Sequence, residues 1–230
     1  MKKDMKKEIY VVIPAYNEER IIKKVIDELK QAGYSNIIVV DDGSKDRTYD
    51  IVSKLDVISL KHVINRGQGA ALKTGIDYAL KKGAKIIVTF DADGQHSVDD
   101  IRKLIGPVAK NQVDIALGSR FLGRKSNIPF SRKVFLKAGA FLIFLMYGIK
   151  LTDSHNGIRA MSGKAAEKIE MTSNRMEHAS EILEQIKEKK LRYMEIPVTI
   201  KYTDYSKLKG QSTMNAFRIF LKMVFNKLTR

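Results

Sequence analysis

Short runs of β-favouring apolar residues alternate with amphipathic helical segments through the first half of the chain, and this alternation constrains the fold most strongly. The predicted strands cover residues 8–14, 36–44, 56–61, 84–94 and 113–120. The predicted helices between them cover residues 18–32, 46–54, 68–82 and 98–109. Because parallel strands need long crossover connections, usually helices, the pattern predicts an α/β fold with a mostly parallel central sheet covered on both faces.

Three of the predicted strands end in clusters of polar residues, at positions 15–18, 41–44 and 91–95. In open parallel sheets, ligands bind in the crevice beyond the carboxyl ends of the strands. We therefore expect these three clusters to converge on one cleft, which is the predicted functional site.

The second half of the chain is less regular, with predicted helices at 131–149, 176–190 and 212–228 and a strand at 191–202. The apolar part of the first of these helices is only about ten residues long, which is too short to span a bilayer. The chain has 230 residues, 44% of them hydrophobic and none of them cysteine. These values predict one globular domain without disulfides or thiolate metal sites. No secretory signal is visible, so we expect a cytoplasmic location.

Asp91 and Asp93 lie one residue apart at the end of an apolar strand, and this arrangement needs a physical reason. Two neighbouring carboxylates repel each other and are unfavourable to bury unless a cation compensates them. Oxygen ligands suit Mg²⁺ or Mn²⁺, and Mg²⁺ typically takes one or two carboxylates together with water and substrate phosphates. The alternative is a helix N-terminus capped by Asp93 or Ser97, with acidic residues in its first turn. That alternative leaves Asp91 unexplained.

The net charge of +16 is concentrated in two stretches of the sequence. Residues 119–150 contain seven basic residues and no acidic one, and residues 205–230 contain six basic residues and no acidic one. The rest of the chain therefore carries a net charge of only +3. Such stretches favour a nucleic acid, an anionic membrane surface or phosphate-bearing substrates as partners.

Seven motifs in order along nearly the whole chain resemble those of the family 2 glycosyltransferases: VVIPAYNEE, VVDDGSKDRT, NRGQGAALKTG, DADGQH, GSR, TDSHNGIRAMS and EIPV. The most similar branch contains dolichol-phosphate mannose synthases and bacterial polyprenyl-phosphate glycosyltransferases. The resemblance implies a GT-A fold, in which a Rossmann-like nucleotide-binding half and an acceptor half form a single domain, here residues 1–230. Residues 1–118 would bind the nucleotide sugar, residues 119–211 the acceptor, and residues 212–230 would form an amphipathic helix at a membrane interface.

The resemblance implies that the ends of the first two strands bind the nucleotide. The implied residues are Pro14, Ala15, Tyr16, Glu18 and Asp42. Pro14 would end the first strand, so that the following backbone faces the cleft. Ala15 and Tyr16 would pack beside the base, while Glu18 and Asp42 would accept hydrogen bonds from uracil or ribose.

Simpler alternatives exist for parts of this region. Asn17 could cap the next helix, and residues 41–44 could form an ordinary Asp-Gly turn. The motif NRGQGAALKTG nearly matches a phosphate-binding loop, but Leu72 stands where the pattern needs glycine, so we reject a P-loop nucleotidase. We expect Gly67 and Gly69 instead to let the backbone approach the nucleotide at the start of a helix.

In the same resemblance, DADGQH corresponds to the metal-binding Asp-x-Asp motif of the family. Asp91 and Asp93 would hold Mg²⁺ or Mn²⁺ against the diphosphate of the sugar nucleotide, with Gln95 as a further ligand. The metal would neutralise the charge that develops on the departing diphosphate. We expect His96 to pack against the site or cap a helix rather than to bind metal.

The motif TDSHNGIRAMS resembles the acceptor-side motif of the family, and Asp153 is the expected carboxylate beside the reacting anomeric carbon. Arg159 could simply be an ion-pair partner. Glu177 and Glu181 lie four residues apart on a predicted helix and therefore share one face. The family often places an acidic residue here near the acceptor, and the alternative is a solvated face.

Basic residues are assigned to phosphate binding. Lys207 and Lys209 lie in a segment that resembles one closing over the diphosphate, with a solvated loop as the alternative. Arg120, Arg124 and Arg132 fit a lipid phosphate, which needs cations more than a base. A sugar-hydroxyl acceptor would need a positioned base and stays the alternative. The predicted catalytic residues are Asp93, Arg120 and Asp153.

These residues predict a metal-dependent, inverting glycosyltransferase that moves a hexose or N-acetylhexosamine from a nucleotide sugar, preferably UDP-linked, to a polyprenyl phosphate such as undecaprenyl phosphate. The product would serve cell-envelope glycan synthesis. The two basic, apolar helices would attach the enzyme to the anionic inner face of the cell membrane, alone or with a small membrane partner protein. Alternatively, they pack as core or as a homo-oligomer interface. A non-catalytic nucleic-acid-binding module is disfavoured because no stacking aromatic residues are interleaved with the charge.

Overall fold

The computed structural model describes residues 7–122, 137, 139–141, 144–146, 148–153 and 156–201. The strands in these residues are β1 (Ile9–Ala15), β2 (Ile37–Asp41), β3 (Ile58–Lys61), β4 (Ile86–Thr89), β5 (Ile115–Ser119), β6 (Arg159–Ser162) and β7 (Tyr193–Pro197). The helices are α1 (Ile22–Gln31), α2 (Thr48–Val52), α3 (Gln68–Lys81), α4 (Asp99–Ala109), α5 (Gly163–Lys168) and α6 (His178–Glu188).

The described strands form a single seven-stranded sheet in the order β3-β2-β1-β4-β6-β5-β7. The pairs β1–β2, β1–β4, β2–β3 and β5–β7 are parallel, whereas β6 runs antiparallel to both β4 and β5. The prediction of a mostly parallel α/β sheet is therefore confirmed. The three adjacent parallel strands β2, β1 and β4 carry the polar clusters, so their carboxyl ends lie side by side.

Helices cover both faces of the sheet, and each contributes an apolar stripe to the core. One face packs against α1 and α4, which bury apolar residues three and four positions apart. The other face packs against α3, α5 and α6. Every residue of β2 is buried, as expected for a parallel strand that is covered on both sides.

Two elements, β6 and α5, were not predicted from the sequence pattern. The four residues of β6 include Arg159 and Ser162, which are weak strand signals, and the strand exists because β4 and β5 pair with it on both sides. The described part of the predicted helix 131–149 is helical at residues 137, 139–141 and 144–146. The predicted helix 212–228 lies outside the described residues. In the described part of the chain, no helix combines the length and apolar character that crossing a bilayer requires.

Gly75 permits the closest approach between α3 and the sheet. A Cβ atom at this position would lie within 3.0 Å of Cγ1 of Val12 and 3.2 Å from Cγ2 of Val40. We expect Gly75→Ala to lower the free energy of unfolding by about 1–3 kcal/mol, because the helix must move away from its packed position. Urea denaturation of the variant and the wild type measures this change.

Gly106→Ala is the matched control, because Gly106 lies in α4 and a Cβ atom there would meet nothing within 4 Å. We expect this change to alter stability by less than about 0.5 kcal/mol. Alanine's better helix propensity is partly offset by Pro107, which disfavours a helical conformation for a preceding residue that has a side chain. Equal effects of the two substitutions would contradict the assigned helix–sheet contact.

Candidate active site

The loops after β1 and β2 are joined by hydrogen bonds between side chains and backbone. Asn17 has a φ of 54°; its backbone N–H donates to Ser44 Oγ at 2.9 Å, and its Oδ1 accepts from the Lys45 N–H at 2.8 Å. The Glu18 N–H donates to Thr48 Oγ1 at 2.7 Å. Asn17 therefore links two strand ends, and the alternative in which it caps α1 is wrong. The two loops form one side of the predicted cleft.

Pro14 does not end the first strand. It pairs with Val40, and β1 continues through Ala15, which pairs with Asp41. A parallel register can continue because proline removes only its own N–H donor from the ladder. Tyr16 follows with 39% of its surface exposed. The predicted contacts of Pro14, Ala15 and Tyr16 with the nucleotide stay predictions.

Asp42 is buried and already binds the protein. Its Oδ1 accepts from His62 Nδ1 at 2.7 Å and from the Arg66 N–H at 3.0 Å, and its Oδ2 accepts from the Gly67 N–H at 2.7 Å. Asp42 therefore anchors the loop before α3 to the end of β2. Asp41 beside it keeps its Oδ1 buried and, among the described residues, without a hydrogen-bond partner. Binding of Asp42 to the ribose or the base stays a prediction.

Gly67 and Gly69, at the start of α3, accommodate a segment of the protein itself. A Cβ atom at Gly67 would lie within 3.0 Å of the Asn174 carbonyl oxygen, and one at Gly69 within 3.0 Å of the Ser173 carbonyl oxygen. The Ala70 N–H donates to the same Asn174 carbonyl at 3.0 Å. The close backbone approach that these glycines allow is therefore to this segment, and their approach to a nucleotide stays a prediction.

Asp91 lies just beyond β4 and is held from several sides. Its Oδ1 accepts from Gln68 Nε2 at 3.1 Å, and its Oδ2 accepts from His96 Nε2 at 2.9 Å. Gly157 packs so closely that a Cβ atom there would lie within 3.0 Å of both carboxylate oxygens. Burial raises the pKa of Asp91, but the hydrogen bond and charge of His96 and the charge of Arg159 outweigh it, so the pKa lies below its usual value. Asp91 is therefore ionised.

Asp93 is harder to ionise than Asp91. Burial and the charge of Asp91 raise the pKa of Asp93 to about 6, and the charge of Glu18 adds to the shift. Its carboxylate accepts hydrogen bonds from the Gln95 backbone N–H at 3.0 Å and from Gln95 Nε2 at 2.8 Å. Gln95 therefore supports Asp93 through its N–H groups, and its predicted role as a metal ligand stays a prediction.

The pair of Asp91 and Asp93 fits a hard divalent cation. Both supply oxygen donors, and because burial and the charge of Asp91 raise the pKa of Asp93 to about 6, a cation beside the two carboxylates would favour ionised Asp93. In the described part of the chain, no group of three or more Asp, Glu or His side chains could hold a metal ion. Two carboxylates suffice for Mg²⁺ when water and substrate phosphates complete its shell.

His96 has the packing role that we predicted for it. The residue is 5% exposed, its ring centroid lies 5.6 Å from that of Phe90, and its Nε2 binds Asp91. Its Nδ1 is buried and has no hydrogen-bond partner in the described part of the chain. His96 therefore orients the Asp91 carboxylate through this Nε2 hydrogen bond.

Arg120 and Asp153, two of the three predicted catalytic residues, form a buried ion pair. Arg120 donates to Asp153 Oδ2 from its Nε at 2.6 Å and from its backbone N–H at 3.1 Å. The two residues are 7% and 3% exposed. Asn156 Nδ2 approaches the same oxygen at 3.4 Å. This pair therefore fixes an arginine at the end of β5 in one orientation.

Glu195 on β7 holds the loop that carries Asp153, and sequence reasoning assigned it no role. Its Oε1 accepts from the backbone N–H groups of Thr152 and Asp153, both at 3.0 Å, and from Thr152 Oγ1 at 2.9 Å. Thr152 Oγ1 also lies 2.6 Å from Ser119 Oγ. The signal that could have identified Glu195 is a single acidic residue inside an otherwise apolar strand.

Glu181 also binds the protein itself. Its Oε1 accepts from the Thr172 N–H at 2.9 Å and from the Thr172 hydroxyl, and its Oε2 accepts from the Ser173 N–H at 3.0 Å. It therefore fixes the segment that covers Gly67 and Gly69. Glu177 precedes α6. The predicted contacts of Glu177 and Glu181 with the acceptor stay predictions.

Several predicted phosphate-binding residues lie outside the described residues, namely Arg124, Arg132, Lys207 and Lys209. The chain is described up to residue 201, shortly before the second basic stretch at residues 205–230. Ile200 forms a β-bridge with His96, and the Lys201 N–H donates to the Gln95 carbonyl at 2.8 Å. Residues 200 and 201 therefore lie beside the loop that carries Asp91 and Asp93.

His178, at the start of α6, is a second residue that sequence reasoning missed. It is buried, and its Nδ1–H donates to the Arg175 carbonyl at 2.7 Å. Burial and the charge of Arg159 lower the pKa of His178 to about 4, against the opposing effects of the Arg175 carbonyl and the charges of Asp91 and Glu181. His178 is therefore neutral at neutral pH.

We expect His178→Gln to make the protein less sensitive to acid. The folded-state pKa of about 4 lies below the ordinary value of 6.5, so the unfolded chain takes up a proton first as the pH falls. Between about pH 7.5 and about pH 5, this should remove roughly 2 kcal/mol from the free energy of unfolding of the wild type. Urea denaturation at both pH values should show the variant gaining this amount relative to the wild type.

The comparison with the wild type is needed because the protonation of Asp93 has the opposite effect on stability as the pH falls. Its raised pKa of about 6 means that the folded state takes up a proton first, which favours folding as the pH falls through that range. Lys187→Gln, at an exposed position of α6, is the control and should show no change with pH relative to the wild type. The same result for His178→Gln would contradict a neutral buried histidine.

Comparison with known proteins identifies relatives over most of the chain. The model for glycosyl transferase family 2 matches residues 10–170. An uncharacterized protein of Methanocaldococcus jannaschii is 42% identical over 97% of this chain and 93% of that protein. The UDP-N-acetylglucosamine–dolichyl-phosphate N-acetylglucosaminyltransferase of Methanococcus voltae is 40% identical over 96% of each chain.

A solved structure shares the fold. Glucosyl-3-phosphoglycerate synthase of Mycobacterium tuberculosis, in complex with Mn²⁺ and UDP-glucose, matches with a TM-score of 0.70 over 98% of this chain and 81% of that chain, at 18% identity. This likeness confirms the expected GT-A architecture. The family match covers well over half of the sequence, and the chain belongs to glycosyl transferase family 2.

Proposed function

We propose that this glycosyltransferase is metal-dependent and inverting, and that it transfers a hexose or N-acetylhexosamine from a UDP-sugar to a polyprenyl phosphate. The observation that carries the proposal is the position of Arg159 on β6, which pairs with β4 just before the Asp91–Asp93 centre and with β5 just before the Arg120–Asp153 centre. Arg159 is influenced electrostatically by both centres. The M. voltae relative supports these substrate classes, since its name gives a UDP-sugar donor and a dolichyl-phosphate acceptor.

The donor would bind at the carboxyl end of β4. Asp91 and Asp93 would hold Mg²⁺ or Mn²⁺, which when bound supplies positive charge to the departing diphosphate. Gln68 and His96 orient Asp91, and Gln95 orients Asp93. These three hydrogen bonds keep both carboxylates in position before the donor arrives, which reduces the reorganisation needed for reaction. The Mn²⁺ and UDP-glucose of the solved neighbour make these the first ligands to test.

The acceptor side favours a phosphate over a hydroxyl group. A hydroxyl acceptor needs a base to take its proton, but Asp153 is already engaged by the Nε and N–H of Arg120. A phosphate is anionic without any base and needs positive groups instead. In the proposed reaction, the phosphate oxygen bonds to the sugar C1 as the C1–diphosphate bond breaks on the opposite side. The configuration at C1 therefore inverts.

The proposed location is the inner face of the cell membrane. Phe141, Phe144 and Leu145 are 60%, 43% and 61% exposed in the described part of the chain, and their spacing puts them on one helical face. An apolar face with basic residues nearby is suited to an anionic membrane interface. A lipid-linked sugar made there would serve cell-envelope glycan synthesis. A small membrane partner protein and a homo-oligomer stay predictions from the sequence.

The test is a transfer assay with purified protein. It would be incubated with Mn²⁺ and labelled UDP-glucose, UDP-N-acetylglucosamine or GDP-mannose, each with dolichyl phosphate, undecaprenyl phosphate or no lipid. We expect label to enter the organic phase only with a lipid phosphate, with a UDP-sugar, and without EDTA. Label transferred instead to a polysaccharide or glycolipid hydroxyl would support the alternative acceptor. No labelled lipid with any donor would contradict the proposal.

Asparagine substitutions test the metal-binding carboxylates. We expect Asp91→Asn and Asp93→Asn each to lower kcat by at least about a hundredfold, because the diphosphate loses its compensating charge. The folded protein should not be weakened by Asp93→Asn, since this change relieves repulsion with Asp91. Asp99→Asn, at an exposed position in the first turn of α4, is the control and should keep wild-type activity. Equal losses in all three variants would favour a helix-start role for the acidic residues.

A further inference from the structure

Arg159 is a buried arginine whose side chain has no hydrogen-bond or ion-pair partner among the residues that the structure describes. The residue lies on β6 and is 3% exposed. Its guanidinium makes no hydrogen bond and no ion pair with any residue that the structure describes. The neighbouring Arg120, by contrast, is paired with Asp153 at 2.6 Å. Arg159 therefore differs from the ordinary buried arginine, whose donors are satisfied by carboxylates or carbonyl groups.

The donors of Arg159 keep a small opening. Among the described residues, the fully enclosed side-chain polar atoms without a partner are Asp41 Oδ1 and His96 Nδ1. The side-chain nitrogen atoms of Arg159, which have no partner in the described part of the chain, are not among these enclosed atoms, and the residue keeps 3% of its surface exposed. A guanidinium has five N–H donors in a planar fork. An oxygen-bearing ligand can therefore satisfy donors that the protein leaves unused.

The two nearest charge centres do not balance Arg159. Burial lowers the pKa of Arg159 to about 10, although the charges of Asp91 and Asp153 act to raise it. Each carboxylate is engaged elsewhere, Asp91 with Gln68 and His96, and Asp153 with Arg120. A charge that is buried and left unpaired is strongly unfavourable unless it serves a ligand.

We propose that Arg159 binds a phosphate oxygen at the point where the donor and acceptor meet. Its guanidinium lies within electrostatic reach of both the carboxylate assigned to the metal and the carboxylate assigned to the acceptor side. The planar fork of an arginine matches two oxygens of one phosphate group. The identity of that phosphate rests on the proposed function. It is either the diphosphate of the donor or the monophosphate of the lipid acceptor, and both present the same chemistry.

The first measurement does not depend on any transferase activity. Thermal unfolding of the wild type and of Arg159→Met would be followed with and without inorganic pyrophosphate, in the absence of metal. We expect pyrophosphate to raise the Tm of the wild type and to raise that of the variant by less than half as much. Without pyrophosphate, the variant should melt at the same temperature as the wild type or higher, because an unpaired buried charge has been removed.

The second measurement separates the two sources of phosphate. If Arg159 binds the donor, Arg159→Met should raise the Kd for UDP with Mn²⁺ at least about tenfold in calorimetry and leave the KM for dolichyl phosphate unchanged. If it binds the acceptor, the Kd of the variant for UDP should equal that of the wild type, and the KM for dolichyl phosphate should rise at least about tenfold. Arg159→Lys keeps the positive charge but loses the planar guanidinium with its two parallel donors. This variant should therefore bind the phosphate more weakly than the wild type and more tightly than Arg159→Met.

Arg102→Met is the matched control, because Arg102 is exposed on α4 and its loss changes the net charge by the same amount. It should behave as the wild type in every assay. The proposal is overturned if Arg159→Met lowers the Tm and leaves the effect of pyrophosphate, the Kd for UDP and the KM unchanged, since Arg159 would then only balance Asp91 and Asp153. An inactive wild type that still binds pyrophosphate through Arg159 would reject the proposed function alone.

Discussion

The burial of opposite charges at the carboxyl edge of the sheet is the constraint on which the site depends. Strand β6 is inserted antiparallel between β4 and β5, so that Arg159 pairs in register with Thr89 on one side and Leu117 on the other. This position brings a guanidinium between the loop that carries Asp91 and the loop that carries Asp153. Charges in such an environment must be compensated by neighbours or ligands. The edge therefore combines carboxylates and arginines that lie close to the ends of β4 and β5.

Residues that hydrogen-bond to Asp91 and to the loop carrying Asp153 give the site its rigidity. Gln68 and His96 reach Asp91 from α3 and from the loop after β4, and Glu195 reaches the Asp153 loop from β7. The Gln68 and Glu195 contacts span 23 and 42 positions of the sequence, whereas His96 lies in the same loop as Asp91. A substrate with several negative charges would therefore meet side chains that are already oriented, which is the condition for strong electrostatic stabilisation of a transition state.

The sequence predicted the strands, the parallel sheet and the convergence of three strand ends, because hydrophobic periodicity and polar strand ends are local properties. It named Arg120 and Asp153 separately, but it could not predict that they pair, since their contact spans 33 positions. Strand β6 was missed for the same reason, because its pairing comes from strands distant in the sequence. The resemblance to a family supplied roles for residues such as Asp42, but not the hydrogen bonds with which the protein itself occupies that carboxylate.

Gly157 shows how narrowly the surroundings of Asp91 are shaped. Its carbonyl accepts a hydrogen bond from Thr89 Oγ1 at 2.7 Å, which fixes it against β4, and its missing side chain leaves just enough room for the Asp91 carboxylate. A mutational path that enlarged this residue would displace both oxygens of that carboxylate at once. The position of the Asp91 carboxylate therefore depends on a residue in the loop before β6, 66 positions away in the sequence. The glycine acts as a fixed steric gauge for the Asp91 carboxylate.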